Sequence, residues 1–559
     1  MNELKGKPIV LKAITLRGIG SYLHGERLDI RPLTILCGTN GSGKSTWFSI
    51  LNLLRKSSEK GCLPFSLDDK AHPQMGLSLA GRHTNSFAEL FADEEGSETL
   101  HDFKARTISE DGKFGPLGTI GLETEVFRDD KLPHELPTTI KQSPLQAFFY
   151  YGQCRKGMQF RIRLTIPADR GLAQEQIIEL AIKDEAGDRP VIQFIKNGTQ
   201  HYDVFLSNEL ILPEQRTQPL VRLSKITPDE SSAKVKIEPC DGCSSPDSWK
   251  ELSDLAVKRI CQLLERVLDG CFYLGAIRKI VSDWEVWDED GEHVKNRYVG
   301  ADGSKVHSLY WAFRGNQMKQ ARKPFDGYIR DIGFGKKYIF DTYCNEWLKN
   351  LLDISLNTVF AVSGAGEWMK NEPMPNGYLV ESVPNAQIRL EGGGADIYHN
   401  PCFEADLPVT PVRMSAGFHQ VAPMIVQSGL IARNEMLCIE NPEVHLHPAL
   451  QSKITEFFIN EANTGKYIVI ETHSDLVVLR TLRAILQEEI PQEWVRVYFS
   501  SLKKQEDSGR AYSKLEQIKI DEQGRIAEWP KGFMDTDMIE FERFMNAIYK
   551  NRPEDCEGV

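Results

Sequence analysis

The chain has 559 residues, 41% of them hydrophobic and 26% charged, which is enough for two or three domains around a large buried core. Its 67 Lys and Arg stand against 79 Asp and Glu, and a net charge of -12 excludes a whole-surface electrostatic grip on nucleic acid, though not a local basic groove. No apolar run approaches the roughly 18 residues of a membrane span, and the opening MNELKGKPIVLK lacks the apolar core of a signal peptide, so a cytoplasmic place without membrane contact is expected.

In chain order, PIVLKAITLRGIGSY and ERLDIRPLTILCG predict two strands, alternating at first and then continuously apolar, as in a sheet that enters the core. GTNGSGKSTWFSILNLLRK follows, with apolar residues at helical spacing from Ser45 onward. The segment Gly38, Thr39, Asn40, Gly41, Ser42, Gly43, Lys44, Ser45, Thr46 satisfies GxxxxGK[ST] directly between a strand and a helix, the context that gives the pattern meaning. Glycines let backbone N–H groups and the helix N-terminus face phosphate oxygens. Lys44 is then placed for the β- and γ-phosphates of ATP, and Ser45 for Mg2+.

Residues 61–250 carry short β-type runs such as GMQFRIRLTIP and PVIQFIKNGTQHYDVFL, read as a strand-rich insertion in a head whose first part is 1–60. Eleven cysteines are scattered, as suits a reducing compartment, and Cys240 and Cys243 have half the spacing of a zinc site with no second half nearby, so a polar loop is the better reading. Residues 251–410 form a helical and mixed region: helical periodicity over ELSDLAVKRICQLLERVLDG and KKYIFDTYCNEWLKNLLD, then strands over GYLVESVPNAQIRLEGGG. Sustained heptads are absent from the sequence, so no long coiled coil is expected.

The last segment, 411–559, brings chemistry back. In VRMSAGFHQVAPMIV a small-residue turn with Ser415 and Gly417 precedes an apolar helix, which by itself is a helix cap. The strand MLCIE then delivers Glu440, and after one helix YIVIETHSD ends at His473. The order is P-loop, serine-glycine turn, acidic strand, histidine strand.

On these motifs the chain resembles the ABC-type ATPases that include SMC proteins, RecF and the overcoming-lysogenization-defect nucleases. IENPEVHLHP, IETHSD and WPKGFMD are similar to the subgroup containing PtuA, the ATPase of Septu and retron-associated anti-phage systems. The likeness covers residues 9 to 56 and about 410 to 535, with a looser match at FYLGAIR and YVGADG. It implies an α/β ABC-type head in which Lys44 and Ser45 are the Walker A pair, Glu440 the metal-associated acid and His473 the γ-phosphate sensor. It also implies that Ser415 and Gly417 touch nucleotide held by a second protomer, so that a homodimer or higher oligomer closes on ATP. For a PtuA-like chain the implied partner is an HNH nuclease, with a reverse transcriptase and its RNA-DNA product, or phage or host nucleic acid, in other settings. A DNA-clamping ATPase of repair or chromosome maintenance is the competing reading.

Departures from the pattern matter as much as the matches. The signature reads SAGFH, Gln74 is the one candidate for a Q-loop glutamine, and His445 and His447 are assigned to a loop crossing between protomers rather than to a metal. Where such ATPases carry a second carboxylate after the acid, this chain has Asn441, whose amide is a far weaker base. Glu443, past Pro442, is the nearest substitute, and slow hydrolysis is expected. The sequence shows neither an HNH cluster nor a carboxylate-rich domain after the ATPase, so cutting would belong to a partner.

Overall fold

The computed structural model describes residues 9–59 apart from 18 and 23, the strands between 77 and 239, residues 264–278, 297–310 apart from 307 and 308, 340–358 apart from 353, 397–401, 415–504, 511–521 and 526. Cys240, Cys243, Gln74, the 377–394 segment and WPKGFMD lie outside the described residues, as does all of 251–263.

The opening forms three strands where two were expected: β1 (Ile9–Arg17), β2 (Glu26–Asp29) and β3 (Leu33–Gly38). The break falls at Pro32, which has no N–H to give a ladder, and it lets the chain change sheets. β1 and β2 pair with each other, while β3 pairs elsewhere. A short hairpin follows, β4 (Leu77–Leu79) and β5 (Arg82–Thr84).

Seven strands then run as an antiparallel meander: β6 (Gly118–Val126), β7 (Met158–Ile166), β8 (Ile177–Asp184), β9 (Gly187–Asn197), β10 (His201–Ser207), β11 (Leu220–Asp229) and β12 (Lys234–Pro239). β6 pairs with β1, giving a nine-stranded sheet in the order β12-β11-β10-β9-β8-β7-β6-β1-β2. The two runs singled out in the sequence, GMQFRIRLTIP and PVIQFIKNGTQHYDVFL, supply β7, most of β9 and most of β10.

A second sheet is built from β3, β13 (Cys271–Leu274), β16 (Met436–Glu440), β17 (Tyr467–Glu471), β18 (Val495–Lys504) and β19 (Ala511–Ile518), after a small hairpin of β14 (Ile354–Thr358) and β15 (Ile397–Pro401). Its order is β13-β16-β17-β3-β18-β19, parallel throughout except for β19 at the edge. Parallel strands covered on both faces read as unbroken apolar runs, and MLCIE and YIVIE are buried at every position.

The named helices are α1 (Lys44–Glu59), α2 (Phe340–Leu352), α3 (Ala416–Leu430), α4 (Pro448–Asn463) and α5 (Asp475–Leu486). Every residue of α3 from Gly417 to Leu430 is buried, so this helix is enclosed on all sides rather than on one stripe, and its polar members His419, Gln420, Gln427 and Ser428 are buried with the rest. Phe418, Val421, Ile425 and Ile439 share one core cluster with Phe340 and Trp347 of α2 and Phe457 of α4. None of the helices among the described residues is long and apolar enough to cross a membrane.

The consequence for function lies in the strand order. β17 is inserted between the acidic strand β16 and the P-loop strand β3, and because all three are parallel their C-terminal ends reach one edge of the sheet. In register, Glu440 lies opposite Glu471, and Glu471 opposite Leu36. Adjacent strands are about 4.8 Å apart, so two carboxylates stand side by side just below the loop that begins at Gly38. Open α/β sheets bind ligands at this edge.

Candidate functional site

The loop from Gly38 to Lys44 is held in shape by the neighbouring strand. Gly38 has φ 138°, and a Cβ there would lie 2.0 Å from the Ser500 carbonyl oxygen of β18, so the close approach itself requires glycine. Thr39 donates its N–H to the Ser500 carbonyl (3.2 Å), and Ser500 Oγ donates to the Ser42 carbonyl (2.7 Å). The Tyr22 hydroxyl meets both Ser42 O and Ser500 Oγ. Gly41 has φ 75° with open space where a Cβ would go, so there it is conformation rather than crowding that selects glycine. Asn40 and Gly41 form the exposed crest of the loop, and Thr46 N–H bonds back to Gly43 O at 3.1 Å to start α1.

Lys44 is nearly enclosed and donates to the carbonyls of Gly38 (3.1 Å) and Thr39 (2.8 Å). Burial lowers its pKa, and the carboxylate of Glu471 opposes that fall. Ser45 Oγ donates to Glu471 Oε1 at 3.1 Å. The acid that meets the P-loop serine is thus Glu471, on the inserted strand, whereas the sequence pattern pointed to Glu440.

Glu440 is turned the other way. Tyr273 donates its hydroxyl to Glu440 Oε1 (3.0 Å), while Arg278 donates to the Glu440 backbone carbonyl (2.9 Å) and to Gln420 Oε1 on α3. Both Glu440 and Glu471 are held above the usual carboxylate range, chiefly by burial; the neighbouring Glu471 raises Glu440 further, and Lys44 draws Glu471 down. In the range where these groups stay protonated in the folded protein but ionise when unfolded, the folded state binds more protons. Stability of the nucleotide-free protein should therefore fall as pH rises from about 4.5, the ordinary value, through the raised ones. Urea unfolding of wild type and Glu440→Gln between pH 5 and 8 checks this, with the shallower slope expected in the variant.

Asn441 occupies a left-handed conformation, φ 44°, which asparagine tolerates better than most residues, and its N–H bonds the Glu471 carbonyl at 2.8 Å. Glu443 Oε1 accepts the His473 backbone N–H at 2.7 Å. Its carboxyl is pushed above the ordinary range by burial, against the pull of that hydrogen bond. His473 follows β17 at the exposed mouth of the site, and partial enclosure of its ring, then the Lys44 charge, lower its pKa and favour the neutral imidazole.

The signature turn faces outward. Ser415 is exposed and caps α3, its Oγ accepting the Phe418 N–H at 3.3 Å, so the residue serves as a helix cap whatever else it does. A Cβ on Gly417 would come within 3.3 Å of Leu446 and 3.7 Å of the His445 carbonyl, which puts the turn against the VHLHP loop. His445 has φ 62°, and His447 caps α4 by accepting the Ala449 N–H through Nδ1 (3.3 Å). Among the described residues no group of three His, Cys, Asp or Glu is arranged to hold a metal unaided.

Three oxygens at the strand ends nonetheless have no hydrogen-bond partner among the described residues: Asn441 Oδ1, Glu443 Oε2 and Glu471 Oε2, all buried. Unpaired buried oxygens are costly. Hard oxygens close to a phosphate-binding loop are the donor set that suits Mg2+, an ion usually held by one or two carboxylates together with phosphates and water. The residues present fit that ion. Sequence reasoning missed Glu471, Tyr273 and Arg278. For Glu471 the signal was there, a charge closing the apolar run YIVIE just as Glu440 closes MLCIE.

A family model described as "AAA domain, putative AbiEii toxin, Type IV TA system" matches residues 293–480, a stretch that holds Ser415, Glu440 and His473. The match covers less than half of the chain. A second model, "Protein of unknown function (DUF3696)", matches residues 490–543. Among solved structures the chain is similar to an Smc head bound to the C-winged helix domain of ScpA, at 12% identity and a TM-score of 0.39 over 91% of this chain and 97% of that one. The Smc head from Pyrococcus furiosus, with an extended coiled coil and the C-terminal domain of ScpA, gives 10% identity and a TM-score of 0.36 over 96% and 100%. The SMC head from Thermotoga maritima gives 10% and 0.27 over 91% and 100%. At such scores the likeness carries no argument. No curated protein matches the chain.

Proposed function

We propose that this ABC-type head binds Mg-ATP at the Gly38–Thr46 loop, hydrolyses it slowly, and serves as the sensing subunit of an anti-phage defence system of the PtuA kind. The observation that carries the slow-ATPase reading is Asn441, a buried amide beside Glu440 and hydrogen-bonded through its N–H to β17, where a general base would be expected. As the resemblance implies, Ser45 and Glu440 would hold the Mg2+, whose charge would offset that of the phosphates. Lys44 neutralises phosphate, the loop N–H groups orient it, and His473 lies where a γ-phosphate sensor belongs. Asn441 positions water without taking its proton effectively.

The defence assignment is supported by the toxin-antitoxin description of the AAA match and by the PtuA-like motifs. On this reading two heads close around ATP in the cytoplasm as a homodimer or a higher oligomer, and loss of closure releases an HNH nuclease partner; in a retron setting a reverse transcriptase and its RNA-DNA product join the assembly. The test is to read the adjacent genes and co-express the chain with any HNH nuclease found there: the complex should protect cells from phage and lose protection with Lys44→Ala, whereas constant residence on DNA in a repair complex would favour the clamp reading.

The outward Ser415 turn gives a second check. Ser415→Arg places bulk and charge on an exposed cap that closure would bring close to a partner's phosphate, without touching the P-loop. ATP affinity should stay within about threefold of wild type, since the change costs at most a cap worth about 1 kcal/mol, while ATP-dependent dimerisation is lost in sedimentation. Dimerisation undisturbed by the change would mean that the protomers meet through another surface.

A further inference from the structure

The mechanism above gives the metal to Ser45 and Glu440, yet the side chains are arranged otherwise. Ser45 Oγ is bonded to Glu471 Oε1, and the second oxygen of Glu471 is buried without a hydrogen-bond partner among the described residues. Glu471 is 4% exposed, so its charge is offset by neighbours rather than by water. Glu440, directly opposite on β16, has one carboxylate oxygen taken by Tyr273 and its carbonyl by Arg278. Two more buried oxygens without partners, on Asn441 and Glu443, are tied to the same strand end through Glu471 O and His473 N.

We propose that Glu471 is a direct ligand of the nucleotide-bound divalent cation, sharing it with Ser45, while Glu440 lies behind it, held in place by Tyr273. The inference rests on ATP binding at the P-loop. The inserted strand then carries both the metal ligand and, two residues later, His473. Its backbone also fixes Asn441, so the metal, the sensor and the water-facing amide are set by one strand.

The experiment is titration of the purified full chain with fluorescent ATP, with Mg2+ and in excess EDTA, for wild type, Glu471→Gln and Glu440→Gln. Glutamine at 471 still accepts the Ser45 hydrogen bond but carries no charge. Glu471→Gln should bind nucleotide in EDTA at least as tightly as wild type, since a negative charge near phosphate is gone. Its gain in affinity on adding Mg2+ should shrink by roughly 10- to 100-fold, the scale for losing support of a bound metal, and by more than in Glu440→Gln. Unfolding midpoints in EDTA should show Glu471→Gln no less stable than wild type, which a purely structural role would not allow. A full Mg2+ gain in Glu471→Gln, or a larger loss in Glu440→Gln, overturns the proposal. If Glu471→Gln does not fold, Glu471→Asp takes its place, and an unchanged Mg2+ gain there counts against direct ligation. Failure of wild type itself to bind nucleotide removes the ATP reading, and this inference with it.

Discussion

Replacing Lys44 by alanine is expected to abolish ATP binding, lowering affinity by at least about 100-fold, because an ammonium held against phosphate oxygens in a site sheltered from water contributes several kcal/mol. The lysine is placed for this before any nucleotide arrives. Its Nζ lies within the loop, held by the carbonyls of Gly38 and Thr39, and the loop is braced from behind by Ser500 and Tyr22. The surrounding backbone does not depend on the ammonium for its shape: the Gly38 and Thr39 anchors to β18 are main-chain contacts. The variant should thus remain folded, with an unfolding midpoint near that of wild type. Calorimetric titration of the folded variant is the measurement, and an unchanged affinity would remove the P-loop from the account.

The second large effect is expected at Asn441. Introducing glutamate there should raise turnover by about 10²- to 10⁴-fold, the usual worth of a positioned general base. Two structural facts bear on the size. The left-handed backbone, φ 44°, suits glutamate less well than asparagine and costs about 1 kcal/mol, which a protein of this size tolerates. Asn441→Asp keeps the shape and the tolerance for that backbone, so it serves as the milder companion. Meanwhile Glu443, the alternative base, is not free to roam: one oxygen is held by the His473 N–H and the other is buried and unpaired among the described residues. Its raised pKa, caused by burial, is in the direction that makes a better base near neutrality. Glu443→Gln should accordingly lower the residual wild-type rate by a further tenfold or more if this carboxylate stands in for the missing one. Steady-state hydrolysis by the wild-type chain alone at several turnovers per second or more would mean that a competent base is already in place.

Much of the site was legible because phosphate chemistry imposes local spacing. Gly38 to Thr46 between a strand and a helix can be read without a structure, and so can acidic and histidine strands that are unbroken apolar runs, since parallel strands buried on both faces must be. What escaped is what depends on lateral neighbours. No spacing along the chain says that β17 lies between β16 and β3, and only that insertion sets Glu471 beside Ser45. Tyr273 on β13 and Arg278 just beyond its end lie 167 and 162 residues upstream of Glu440 and are brought to it by a parallel pairing that has no sequence signature of its own. The sheet change at Pro32 was missed for a different reason. ERLDIRPLTILCG has the apolar character of one strand, whereas the missing N–H of Pro32 lets the run divide between two sheets.

Arg278 has a consequence that reaches beyond the nucleotide. Its guanidinium is fully enclosed, and burial draws its pKa down to about 10. It donates to two acceptors on different elements: Gln420, one turn into the helix capped by Ser415, and the carbonyl of Glu440 at the end of the acidic strand, while its Nε has no hydrogen-bond partner among the described residues. Breaking either contact would leave part of a buried cation without an acceptor, at a cost of about 1.5 to 3 kcal/mol. The helix and the strand are thereby pinned to each other through one buried side chain, so a shift of the Ser415 turn relative to the Glu440 strand end must break a hydrogen bond that water is not there to replace.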